Sequence, residues 1–473
     1  MKRKILLLLL AVASFGTMHA AVINGTCGDN LTWSLDTEEG RLTITGTGTM
    51  YNWEYGTSPW FEYNYYIADI LLPEGLTNIG DYAFSWCSNL TSIELPSSVT
   101  SVGESAFYYC NSLSSPLYNS YLFAYLPASY SGSYIIPEGI EIIGKSAFYG
   151  CENLTSITMP NSVTKVDDYA FSQCTNLTSI SFSNNLKTIG NWAFNECNKL
   201  SSIDLPNSLL SIGECAFRDC YGLVNVSIPN GTTYIENYAF AHCGNLETII
   251  LPENIIKIGG YTFIGCNHLV SIEIPNDVKE IGDYAFYQCV RLPKIEFPSS
   301  VNSLGNMAFG DCTALTSIYC NATIPPSVLN YTFSNVDKST CVLYVPAPSI
   351  STYKTTDIWN DFETIIAIPG TEETKHNVHY LNKENESIKE GSILLTLPVA
   401  PVIEGFSFLK WHVVESDLND GIFIQAEYTA DVPTSAPGIF VNPVNPSQKL
   451  IRNGNVYILH DENLYTLQGQ KVK

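Results

Sequence analysis

A phenylalanine returns every 23 residues. It stands at Phe84 and Phe107, then at Phe148, Phe171, Phe194, Phe217, Phe240, Phe263, Phe286 and Phe309, with a single step of 41. Ala precedes each of them except Phe263, which follows Thr262. A Cys stands three residues after each Phe, from Cys87 to Cys312, and a Leu three residues after each Cys, from Leu90 to Leu315. A period of this length held over most of a chain is the mark of stacked supersecondary units. It also explains how 473 residues can form one array, because each coil contacts only its neighbours.

One unit shows the physics. In Asp283-Tyr284-Ala285-Phe286-Tyr287-Gln288-Cys289-Val290-Arg291-Leu292, Asp283 is placed as the N-cap of a short helical turn. Phe286, Cys289 and Leu292 then share one inward face. Ile295-Glu296-Phe297 alternates in, out, in, as a half-buried strand does, and Pro298 stops it. Val301 and Leu304 give a second inward side, and Gly305 turns the chain into the next coil. Such a unit cannot fold alone. Each buried apolar side chain contributes roughly 1.5–3 kcal/mol, and a unit has only a handful, while fixing each backbone residue costs about 1–2 kcal/mol. The predicted fold class is therefore a repeat solenoid, β-rich with short helical turns, followed by a small β domain.

The step of 41 hides an aberrant unit crowded with Tyr118, Tyr121, Phe123, Tyr125, Tyr130 and Tyr134. Phe61, 23 residues before Phe84, and Phe333, 24 after Phe309, are candidate terminal coils. The turn glycine is replaced by Asp167 and Glu236 in two units, and the strand-ending Pro by Ser183 in one.

The recurring Ile-x-Leu-Pro-x-Ser-Val-x-x-Ile-Gly-x-x-Ala-Phe-x-x-Cys pattern resembles the BspA-like leucine-rich repeat family of bacterial surface proteins. Two flanks are similar to that family as well. One is Cys27-Gly28 with Trp33 and Leu42 to Gly48, through to Pro59-Trp60; the other is Leu343-Tyr344-Val345-Pro346 with Tyr353, Trp359 and Phe362. The resemblance covers roughly residues 21–368. It implies an extracellular leucine-rich-repeat superhelix that adheres to host or bacterial proteins. Farther on, Gly405 to Trp411 with Ile424 to Tyr428 resembles the small β-rich repeat of internalin-type surface proteins. Gly454 to Gln470 is similar to C-terminal sorting segments, and an ordinary β-hairpin fits it too.

The organisation expected is a signal peptide over 1–20, an N-terminal β cap over 21–60 and the solenoid over 61–345. A closing segment over 346–370, a small β-rich domain over 371–431 and a linker with a sorting-like hairpin over 432–473 follow. Lys2-Arg3-Lys4 ahead of the apolar run Ile5–Ala13 carries the export reading, with cleavage after Ala20. The apolar run is too short to span a bilayer as a resident helix, so a secreted or cell-surface location without a membrane span in the mature chain is expected.

Lys+Arg number 23 against 46 Asp+Glu, a formal net charge of −23 that repels phosphate backbones, so nucleic acid is not an expected partner. Export and 14 Cys would ordinarily suggest disulfides. Stacking opposes pairing within the column: equivalent Cβ atoms would lie parallel at about 4.8 Å, whereas a disulfide needs about 3.8 Å and converging bonds. The column therefore reads as packing. Cys27, Cys215, Cys320 and Cys341 lie off it, and a bridge among these stays open.

No pattern points to catalysis, a metal or a cofactor. His376 and His379 would face opposite ways on a strand, and Asp417 to Gly421 reads as a β-turn because Leu418 would fall at a calcium-ligand position. The candidate binding residues are an aromatic column two positions before the Phe: Tyr82, Tyr169, Trp192, Tyr238, Tyr261 and Tyr284. Rings partly buried beside the turns are the competing reading. An outward strand column with Glu94, Asp204, Glu273 and Glu296 is a second candidate, or a plain solvated face. The function expected is non-enzymatic protein binding or adhesion; a carbohydrate-binding accessory role is the alternative.

Overall fold

The computed structural model describes residues 22–369, and beyond them the strands Val378–Leu381, Ser387–Gly391, Phe406–Asp417, Gly421–Ala430, Gln448–Arg452, Asn455–His460 and Asn463–Thr466. The export segment, His376, Leu418 and the 432–446 linker lie outside the described residues. The chain is a β-solenoid of about 13 turns with a period near 23 residues and little helix.

Two parallel ladders run along it, and both keep the sequence period as their register. In the first, Ser156, Ile157 and Thr158 pair with Ser179, Ile180 and Ser181, and Lys294 to Phe297 pair with Ser317 to Cys320. The burial of Lys294–Phe297 alternates as expected, with Ile295 and Phe297 inside. The second ladder has strands of two residues, such as Lys165–Val166 on Thr188–Ile189 and Glu280–Ile281 on Ser303–Leu304. At the N-terminal end, Val22–Gly28, Leu31–Asp36 and Arg41–Gly46 form an antiparallel meander. Its last strand pairs in parallel with Asp69–Leu71 and so starts the first ladder.

The turn segment is not helical. In the Phe286 unit, Ala285, Tyr287 and Cys289 close bonds to Gly282, Tyr284 and Phe286, three residues back. The amides between them, Tyr284, Phe286 and Gln288, donate instead to Asn306, Ala308 and Gly310 of the next coil, at 2.8 to 2.9 Å. A helix would send every amide back into its own segment; here alternate amides leave it. The left-handed φ of Tyr284 (55°) and Gln288 (62°) produces that alternation. Asp283 consequently does not cap its own turn. Its Oδ1 accepts the amide of Asn306 at 2.6 Å, and Asp81, Asp168, Asn191 and Asn237 do the same for Glu104, Asn191, Glu214 and Gly260.

The Phe rings stack inside this frame. Phe148 to Phe171, Phe171 to Phe194 and Phe194 to Phe217 have centroids 4.6, 5.0 and 5.2 Å apart. Phe333 joins the stack against Phe309 at 5.8 Å, as its position predicts. Phe61 does not: Trp60 stacks on Phe84 at 5.7 Å and is fully buried, its indole N–H donating to Ala83 at 2.7 Å, while Phe61 lies against Tyr55 nearer the surface. In the aberrant unit, Phe123 fills the stack, 4.8 Å from Phe148. Trp359 and Phe362 close the far end on Phe333, each at 5.4 Å.

A second compact unit takes in the chain from Ile366 onward. There Phe406–Asp417 pairs antiparallel with Gly421–Ala430, and Val378–Leu381 pairs in parallel with Ile422 to Gln425. Gln448–Arg452, Asn455–His460 and Asn463–Thr466 form a three-stranded meander.

At Gly190, Gly213 and Gly305 glycine is favoured by close contact with the preceding coil, not by a turn. Gly305, Gly213 and Gly190 do not have positive φ. A Cβ on Gly213 would come within 2.6 Å of the Gly190 carbonyl carbon and 2.7 Å of the Asn191 amide. The two exceptions are accommodated differently. At Asp167 the adjoining stack is the tightest, Phe148 and Phe171 lying 4.6 Å apart, whereas after Glu236 Phe240 and Phe263 are 6.1 Å apart and the second ladder restarts at Lys257–Ile258. Gly213→Ala should therefore cost about 1–3 kcal/mol, as overpacking does. Gly244→Ala, whose new methyl would meet only Tyr221 at 3.6 Å, should change stability by less than about 1 kcal/mol. Urea melts of the two variants would check this; equal losses would contradict it.

Candidate functional site

The aromatic column is set by the turn's backbone. Tyr82, Tyr169, Trp192, Tyr238, Tyr261 and Tyr284 all have φ between 53° and 59°. That is the left-handed region, which costs a non-glycine residue roughly 1–2 kcal/mol. All six side chains are half-buried. The position is not aromatic throughout. Ser105, Ser146 and Cys215 occupy it in other coils, so the six rings fall into separate groups. Tyr82 packs edge-on to Tyr55 at 6.1 Å. Tyr169 and Trp192 are parallel at 6.1 Å, with the Arg218 guanidinium 5.3 Å from the Trp192 ring.

The third group is continuous. Tyr238 and Tyr261 stack at 4.4 Å, and Tyr261 and Tyr284 at 4.8 Å, each pair within 8° of parallel. A shallow groove of about 440 Å³ runs beside Tyr238 and Tyr261 and carries Lys257, Glu280 and Asp283 on its walls. Lys257 and Glu280 are partners on adjacent strands and are paired at 2.9 Å. Burial, followed by the neighbouring phenols, raises the Tyr261 hydroxyl above its ordinary range. Burial pushes Tyr82 up to about 12, helped by Glu104, which accepts its hydroxyl at 3.0 Å. These phenols stay neutral hydrogen-bond donors across physiological pH.

The acidic strand column is interrupted. Glu94, Asp204, Glu273 and Glu296 are exposed, but Ser227 and a 65% exposed Ile250 stand between Asp204 and Glu273. Glu296 is bonded by Lys294 and Asn321, both at 3.2 Å. His268 is held by the Gly244 carbonyl at 2.6 Å. Among the described residues, no group of three His, Cys, Asp or Glu is placed to hold a metal ion, and no helix is long and apolar enough to cross a membrane.

Sequence reasoning missed a second left-handed column two residues after the Phe, which includes Trp86, Tyr109, Gln173, Glu196, Asp219, His242 and Gln288. Its residue types vary too much to form a visible motif. It also missed what the thiols do. All fourteen cysteines are free and buried, the four off the column included. From the second regular coil on, most column thiols donate to the Phe carbonyl of the preceding coil: Cys110 to Phe84 at 3.2 Å, Cys220 to Phe194 at 3.1 Å, Cys312 to Phe286 at 3.1 Å. Cys151 instead reaches the Leu126 and Pro127 carbonyls at 3.6 and 3.7 Å. The Phe carbonyls already accept the Cys amide of their own turn, so each such thiol adds a second donor from the next coil.

The chain belongs to the BspA-type leucine-rich repeat family. The family pattern, a BspA type leucine rich repeat region, matches in six copies over residues 57–123, 119–247 and 233–353. No curated protein matches. Among solved structures, a leucine-rich repeat protein from Bacteroides ovatus is 23% identical, with a TM-score of 0.45 over 72% of this chain and 99% of that one. One from Eubacterium ventriosum is also 23% identical, with a TM-score of 0.40 over 62% of this chain and 95% of that one. The pneumococcal vaccine antigen PcpA is 19% identical, with a TM-score of 0.38 over 74% of this chain and 99% of that one.

Burial raises the column thiols far above their ordinary value of 9.0, Cys110, Cys266 and Cys312 to about 12. The native state keeps these protons after the unfolded chain has lost them. The stabilisation is therefore complete below pH 9 and is lost as pH rises from 9 toward 12. Each such thiol costs about 1.4 kcal/mol per pH unit in that window, so unfolding should set in steeply on the alkaline side. At pH 8 the native protein should resist a thiol reagent, and all fourteen cysteines should react once denatured. Mass spectrometry finding column cysteines paired with one another would contradict the packing.

Proposed function

We propose that this chain is an exported, non-enzymatic binding protein whose solenoid presents stacked turn aromatics to protein partners on host or bacterial surfaces. The observation that carries the reading is the Tyr238–Tyr261–Tyr284 stack beside its charged groove. Half-buried aromatic rings held by packing lose little freedom on binding, and aromatic residues dominate interface energetics. The groove wall supplies charge of both signs through Lys257 and Glu280. Family membership supports the same reading, and the basic-then-apolar start of the chain supports export. The C-terminal β modules serve in this reading as spacer and delivery segments.

The test is binding of the full chain to a panel of purified extracellular-matrix and cell-surface proteins, read by biolayer interferometry. Trp192→Ala should weaken a partner that spans its coil by about 1–3 kcal/mol. Joint replacement of Tyr238, Tyr261 and Tyr284 by Ala should weaken it further, with the circular dichroism unchanged. Phe240→Ala should cost roughly 3–5 kcal/mol of stability and affect binding only through unfolding. If the folded triple variant binds every partner as tightly as the parent, the stack is structural and the proposal fails.

A further inference from the structure

The ladder of turn amides is broken once along the array. Tyr82, Phe84 and Trp86 donate to Glu104, Ala106 and Tyr108, and Ser146, Phe148 and Gly150 donate to Asp168, Ala170 and Ser172. Between the turn at Ser105 to Tyr109 and the turn at Ser146 to Gly150, the aberrant unit replaces these bonds. Ser105 N–H reaches the Ser146 hydroxyl at 3.3 Å, and Leu126 N–H takes the Ala147 carbonyl at 2.7 Å. The unit supplies a strand, Leu122–Tyr125, in place of a turn. The two flanking turns meet at Ser105 and Ser146 and at Tyr108 and Tyr149 without the backbone ladder of the other coils, and a cavity of about 260 Å³ opens between them.

Its walls are aromatic. Tyr109, 44% exposed, is backed by Trp86, whose ring lies 4.3 Å away and within 10° of parallel. Tyr108 stands at 89° to Tyr109 at 4.5 Å, and at 75° to Tyr149 across the gap at 5.8 Å. Tyr125 lines it as well, its hydroxyl donating to Cys110 at 3.4 Å. Glu152 and Gln173 bring a carboxylate and a side-chain amide to the lining. Lys145 also borders the cavity, but its ammonium is engaged by Asp168 at 3.4 Å.

We propose that this cavity is a carbohydrate subsite that takes one ring of a neutral glycan. A sugar ring has an apolar C–H face and a rim of hydroxyls. Preorganised tyrosines match the face, and the carboxylate and amide match the rim. The volume lies just below the usual range of ligand sites, roughly 300–1,000 Å³, which suits a single ring. With the one lysine already paired and a net charge of −23, the site does not favour phosphorylated or sulfated sugars. The site lies in different coils from the Tyr238 stack, so the two proposals stand or fall separately.

The experiment is saturation-transfer NMR on the full chain. The probes are the methyl glycosides of glucose, galactose, mannose, fucose and N-acetylglucosamine, with N-acetyltryptophan amide as a stand-in for a protein side chain. At least one glycoside should receive saturation. Tyr109→Ala should weaken it by roughly tenfold or more, and Glu152→Ala, at an exposed rim residue, severalfold. Tyr331→Ala, at an exposed residue in a distant coil outside both proposed sites, should leave it unchanged. The proposal is overturned if no glycoside binds, if only the tryptophan amide binds, or if binding survives both Tyr109→Ala and Glu152→Ala.

Discussion

The hydrogen bonds that alternate turn amides send to the next coil hold the rest of the structure in place. They align each turn with its neighbours at one coil spacing, and the Phe rings, the Cys thiols and the repeat glycine all follow from that spacing. The rings stack at 4.6 to 5.2 Å where it is tightest. The thiols reach back to a carbonyl one coil behind, at 3.1 to 3.4 Å through most of the column. The glycine at 190, 213 and 305 leaves room for the backbone beside it. The cost is the left-handed conformation at two positions of each turn, which only a cooperative array can repay.

The same constraint places the surface residues considered for binding. A left-handed residue at the edge of a turn points its side chain along the stack, so an aromatic there meets the ring one coil away. Tyr238, Tyr261 and Tyr284 form a continuous platform because three successive coils carry tyrosine. Cys215 interrupts it on one side and Met307 on the other. The aberrant unit works in the opposite sense: by putting a strand in place of a turn it interrupts the ladder of turn amides and leaves a cavity lined by Tyr108, Tyr109, Tyr125 and Tyr149.

Much of the fold is legible in the sequence, because a core position must be apolar in every coil. Phe286, Cys289, Leu292, Ile295, Phe297, Val301 and Leu304 are all buried as their pattern predicts. The turn geometry is not legible, since Asp283 before Tyr284 and Ala285 fits a helix cap as well as it fits a bond to Asn306. Trp60 rather than Phe61 ends the aromatic stack because the terminal coil departs from the period by one residue. Of the candidate site, the column itself is visible as a spacing. Its half-burial and its division into groups depend on which neighbours fill the gaps. The second left-handed column is conserved only in backbone, with Trp86, Gln173, Glu196 and His242 at equivalent places, and no pattern of residue types reveals it.

If nearest-neighbour bonding between coils sets the structure, whole coils can be removed but fractions of a coil cannot. Deleting residues 192–214 joins Asn191 to Cys215 in the same register and should leave a folded, shorter solenoid with a cooperative thermal transition within several degrees of the parent. Deleting 192–211, three residues fewer, puts every turn amide out of register at the junction. That variant should lose cooperative melting, or should melt far lower with an unprotected junction in hydrogen exchange. Equal thermal melting of the two deletions would contradict the account.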